Sequence, residues 1–111
     1  MRTLKFIVTD QIIAQDPKCD FSGLVPGTAG YVQAEFSFSS EWAGCTKVAA
    51  FWSALGKEYP PQILRDGKSC MIPAEALERR TFKVQVIGKG PNSKKLTTNK
   101  VEVIQNGGAN S

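Results

Sequence analysis

Apolar and polar residues alternate with a period of two in several short segments of this chain. Leu4, Phe6 and Val8 are interleaved with Lys5, Ile7 and Thr9. Val32, Ala34, Phe36 and Phe38 are interleaved with Gln33, Glu35 and Ser37, the clearest such run. Phe82, Val84 and Val86 alternate with Lys83 and Gln85, and Val101 and Val103 with Lys100 and Glu102. Successive side chains of a strand point to opposite faces, so each segment predicts a strand with one face on a core and one in water. Cys45–Phe51 is more continuously apolar and predicts a central strand. Glu58–Leu64 carries Pro60-Pro61, which cannot donate to a ladder, and so predicts an edge or bulged strand. Lys68–Ile72 is a shorter candidate.

Turn signals separate these runs: Pro26-Gly27, Gly30, Ala43-Gly44, Leu55-Gly56, Asp66-Gly67 and Gly88–Asn92. Asp66-Gly67 is the best tight-hairpin signal. Helical signal is confined to two places. Ser39-Ser40-Glu41-Trp42 suggests one turn with a serine cap, and Trp42 is expected to plug one end of the fold. Pro73–Glu78 opens with proline at a first-turn position and predicts a short crossover. The expected fold is therefore all-β: an immunoglobulin-like antiparallel β-sandwich of about seven strands with one short helical crossover. It should occupy residues 1–105, with 106–111 (Asn-Gly-Gly-Ala-Asn-Ser) as a flexible C-terminal tail.

Length agrees with a single domain: 111 residues leave no room for two. Hydrophobic residues are 41% and charged residues 22% of the chain, a balance that argues against disorder. The longest apolar runs fall well short of the roughly 20 residues that cross a bilayer. The N-terminus lacks the apolar region of a secretory leader, so synthesis and folding in a cytosol are expected.

Candidate chemistry is thin. The chain has three cysteines in no CxxC arrangement and no histidine. A tetrahedral zinc site and a histidine-activated nucleophile both lack their components, so neither an enzyme nor a cofactor is expected. Cys45 and Cys70 sit in strand-like runs and read as small buried apolar residues; Cys19 lies in a polar loop and is expected nearer the surface. Gly88–Lys95 lacks the spacing of a phosphate-binding loop and reads as a hairpin tip. The net charge of +4 matters only through its placement. Lys89, Lys94, Lys95 and Lys100 gather near that hairpin, with Arg79 and Arg80 at the other end of the preceding strand, and could contact a phosphate or anionic glycan. Among the aromatics, Phe36, Phe38, Phe51, Trp52 and Phe82 are assigned to the core. Tyr31 and Tyr59 are assigned to the surface, where they could stack on sugar or contact a protein.

Tyr31–Phe51 (YVQAEFSFSSEWAGCTKVAAF), Ile72–Leu77 (IPAEAL), Phe82–Gly88 (FKVQVIG) and Leu96–Asn99 (LTTN) together resemble a small β-sandwich domain of tailed bacteriophages. It is similar to the N-terminal domain of baseplate upper proteins and of related tail- or head-fibre proteins, over roughly residues Met1–Ile104. The resemblance implies a virion structural protein, made in the host cytoplasm. It would act as an attachment or decoration module that binds a neighbouring capsid, baseplate or fibre protein. It also implies a possible homo-oligomer, a trimer if the chain is a fibre module. Such proteins usually continue into a long fibre, so this chain is expected to be an excised module or a decoration protein. The matched residues are packing positions and carry over no binding residue. A carbohydrate-binding module using Tyr31, Tyr59 and the basic hairpin is the alternative. A nucleic-acid-binding domain using Lys89, Lys94 and Lys95 ranks last.

Overall fold

A computed structural model describes residues 1–105; the expected tail at 106–111 lies outside them. Among the described residues there are nine strands: β1 Arg2–Thr9, β2 Ile12–Gln15, β3 Val32–Phe38, β4 Thr46–Ser53, β5 Gln62–Ile63, β6 Ser69–Met71, β7 Thr81–Lys89, β8 Lys95–Thr97 and β9 Val101–Ile104. A single helical turn, α1 Ala74–Leu77, crosses from β6 to β7. Two sheets pack face to face. One has the order β2-β1-β3-β6; the other runs β5-β4-β7, with β8 and β9 both pairing with β7.

The fold is thus an all-β sandwich with one short helical crossover, as the alternation predicted. Two short strands add to the seven expected. Ile12 and Ile13 are both apolar, which hides the period of β2: Ile13 is buried and Ile12 exposed. In β8 one half-buried leucine, Leu96, is too little to form a pattern. Moreover, β1 and β3 run parallel, from Arg2↔Val32 to Val8↔Phe38. A parallel pair needs a long return path, and here it comprises β2 and the segment 16–31. Leu24 buries itself in the core from that segment. The Gly27 N–H donates to the Leu77 carbonyl at 2.8 Å, fastening the segment to α1.

Inward positions of both sheets form one core. Leu4, Phe6 and Val8 meet Val32, Ala34 and Phe36 in the first sheet; Ala49 and Phe51 meet Phe82, Val84 and Val86 in the second. Phe6 and Phe36 stack with centroids 5.4 Å apart. The margins between the sheets are also tied. On one side the Asn99 carboxamide oxygen accepts from the Ile13 N–H at 2.8 Å, and the Gln15 carboxamide donates to the Glu102 carbonyl at 3.1 Å. On the other, the Asp66-Gly67 turn links the β5 side to β6, both residues having positive φ. That is the conformation Asp-Gly turns supply. The outer edge of β4 is covered by residues 57–64, and the two prolines there leave little to donate to another strand, as predicted.

Trp42 plugs the end of the sandwich, fully buried, its indole N–H donating to the Asp10 carbonyl at 2.7 Å. It belongs to a single 3₁₀ turn, Ser40–Trp42. Ser39 does not cap that turn with its side chain. Its hydroxyl instead accepts from the Asp10 N–H at 2.9 Å, tying the turn to the β1–β2 hairpin.

The cysteines divide differently from expectation. Cys70 is buried, but Cys45 is half-buried, because it lies in the bend before β4 rather than within the strand. Cys19 is also half-buried, its Sγ 3.4 Å from the Lys5 backbone nitrogen and packed along β1. Burial pushes the Cys70 thiol up to about 12, a rise only partly opposed by Arg65. The unfolded thiol ionises from about pH 9 while the folded one stays protonated, so stability is full below pH 9 and falls as pH rises toward 12. In that window the loss is expected to approach about 1.4 kcal/mol per pH unit. Urea unfolding at pH 8 and 10 should show it in the parent chain and not in Cys70→Ala.

Candidate functional site

A cleft of about 460 Å³ lies at one end of the sandwich, between the β4–β5 connection and the segment joining α1 to β7. One wall is a tight turn after β4. The Ser53 N–H donates to the Lys57 carbonyl at 2.7 Å, the Ser53 hydroxyl accepts from the Lys57 N–H at 2.9 Å, and Gly56 takes φ 92°. That positive φ is costly for any residue with a Cβ, which explains the glycine. The turn lifts Leu55 to its tip, where the side chain is 98% exposed. An apolar side chain so exposed gains nothing in the isolated chain.

The opposite wall carries Glu75, Glu78, Arg79 and Arg80. It is held by Gln105, a buried residue at the end of β9. Its carboxamide donates to the Leu77 carbonyl at 3.0 Å and the Arg79 carbonyl at 2.7 Å, and its backbone N–H donates to the Arg80 carbonyl. Gln105 therefore satisfies carbonyls that the one-turn helix leaves open and fixes where the two arginines start. The ion pairs among the described residues are Lys5–Glu35 and Lys94–Glu41, both 3.9 Å and at the surface, so the cleft's arginines and glutamates stand unpaired.

Tyr59 forms part of the cleft floor. It was expected at the surface but is only 8% exposed, because its backbone pairs with Phe51 and carries the ring inward. Tyr31 is 52% exposed and borders a different, smaller hollow beside Arg2 and Val25. There the Arg2 guanidinium donates to the Asp20 and Ser22 carbonyls. The Ser22 hydroxyl, 2.6 Å from the Asp20 carboxylate, and then the Ser22 N–H hold that carboxyl below its usual range. The two tyrosines thus form no common platform.

Nor do the lysines join either of them. Lys89 and Lys95 face each other across β7 and β8. Lys94 turns away: its ammonium donates to the Glu41 carbonyl at 2.8 Å. Arg79 and Arg80 precede β7 and Lys89 ends it, so the whole strand, about 26 Å long, lies between them. No family model, curated protein or solved structure matches this chain.

Trp52, assigned to the core, lies instead on the outer face of the second sheet and is half-buried. Its indole N–H donates to the Gln85 carboxamide at 3.2 Å, and the Lys100 ammonium sits 3.6 Å above the ring centroid. The parity of β4 gives this away: with Phe51 inward, Trp52 must point outward. The other four aromatics assigned to the core do pack there, Phe38 from its margin. No helix is long and apolar enough to cross a membrane, and no group of three or more metal-ligating side chains comes together among the described residues.

Proposed function

We propose that this domain is a protein-docking module, a virion attachment or decoration domain of the kind its sequence resembles, and that it engages its neighbour through the end cleft. The observation that carries the reading is Leu55, held fully in solvent by a well-bonded turn at the rim of the cleft. Interfaces bury apolar side chains at their centres and are enriched in arginine, and here Arg79 and Arg80, in no ion pair among the described residues, stand on the wall opposite Leu55. The sealed sandwich supplies a rigid support, so docking requires little reordering of the domain.

Particles purified from the producing culture should contain the chain at a fixed stoichiometry by mass spectrometry. Leu55→Asp should leave the melting temperature within a few degrees of the parent, since the side chain buries nothing, while removing the chain from particles. Absence of the parent chain from particles, or normal incorporation of the aspartate variant, would count against the reading.

A further inference from the structure

The second sheet's outer face carries a charge arrangement that docking through the cleft does not use. Strand parity places Lys83 and Lys89 of β7 on it, with Lys95 of β8, Lys100 before β9, and Trp52 of β4. Lys89 and Lys95 are directly opposite each other. Like charges in that relation destabilise a sheet, and among the described residues no carboxylate lies within ion-pair distance of either. The carboxylates on the face are Glu58, opposite Trp52, and Glu102, opposite Lys83; neither forms an ion pair. Lys83 and Lys89 are six residues apart on one strand, about 20 Å. The face is therefore an elongated strip with lysines at both ends, Val48, Gln85 and Ile87 between them, and a flat aromatic ring near one end.

We propose that this strip binds a linear anionic polysaccharide, with one sugar ring stacked on Trp52 and the acidic groups of the chain distributed over Lys83, Lys100, Lys89 and Lys95. Gln85 fixes the indole plane by accepting its N–H. The Lys100 ammonium now covers the ring by a contact that is weak at an exposed site. A sugar ring takes that place, and the ammonium pairs with an acidic group beside it. The strip carries a single aromatic ring. Single-stranded nucleic acid is typically held by several, one for each of its successive bases, which favours a sugar polymer. The proposal is independent of docking through the cleft, because none of these residues lines it.

Indole fluorescence reads the test directly, since Trp42 is buried and Trp52 is the ring within reach of polymer. The full chain is titrated at low salt with polygalacturonate, alginate, neutral dextran and oligo(dT). At least one acidic glycan polymer should quench the signal. Its affinity should fall linearly on a log–log plot against salt, and Lys83→Gln with Lys100→Gln should lower that slope by about two. Trp52→Phe should abolish the quenching while retaining most of the salt-sensitive retention on an acidic column. Leu55→Asp should change none of this. Absence of quenching by both acidic glycans, equal binding of dextran, or tighter binding of oligo(dT) would each overturn the proposal, the last assigning the strip to nucleic acid.

Discussion

Trp42→Ala is expected to destabilise the domain by about 3–5 kcal/mol, the range for a fully buried large aromatic. Domains of this size have about 5–15 kcal/mol in total, so the variant should be close to unfolding at 37 °C. Two losses combine. The ring fills the end of the sandwich against Phe38, with centroids 5.2 Å apart, and its N–H satisfies the Asp10 carbonyl. Gly88 is the complementary surface: a Cβ there would lie 2.7 Å from the Trp42 Cζ3 atom. Gly88→Ala alone should therefore cost about 1–3 kcal/mol by overpacking. In the Trp42→Ala background the clash is gone, so the two costs should fall short of additivity. Urea unfolding of the four proteins of the cycle measures the coupling; strict additivity would mean that the ring and the glycine do not interlock.

Phe36→Ala is the second large loss, again about 3–5 kcal/mol. Phe36 stacks on Phe6 and approaches Phe38 at 6.0 Å, so it joins the parallel β1–β3 pair to the Trp42 end of the core. Phe6 also meets Phe21 edge-on at 5.5 Å, which brings the long return segment onto the same cluster. Phe36→Leu, which keeps most of the volume, should cost much less than the alanine. The Phe6–Phe36 cycle should show a coupling of about 0.5–1.5 kcal/mol beyond buried area. Thermal melts with an unchanged far-ultraviolet spectrum would separate lost packing from a changed fold.

Strand identity was legible where one apolar side chain recurs at every second position and failed where that signal was too short or doubled. β1, β3, β7 and β9 fall in the first group; β2, with adjacent isoleucines, and β8, with one leucine, fall in the second. Turn chemistry was equally readable: Asp66-Gly67, Gly44 and Gly56 all take positive φ. The cleft was barely legible. Leu55-Gly56 announced a turn, but nothing in the order of residues says that its leucine stands in solvent opposite Arg79 and Arg80. Gln105, which anchors that wall through three carbonyls, follows a strand as an ordinary polar residue and gave no signal. Trp52 was readable in principle from parity with Phe51, but the apolar run around it masked which face it takes.

By itself the sequence determined the class of structure, because alternation decides which side of a strand must leave water, and glycine, asparagine-like and proline positions decide where the chain can reverse. Pairing was decided only in three dimensions. The parallel alliance of β1 with β3, the inward turn of Tyr59, the facing lysines 89 and 95, and the separation of Arg79–Arg80 from the hairpin all depend on which strands become neighbours. That choice minimises exposed apolar area over the whole chain at once, and no local pattern encodes a sum taken over residues far apart in sequence.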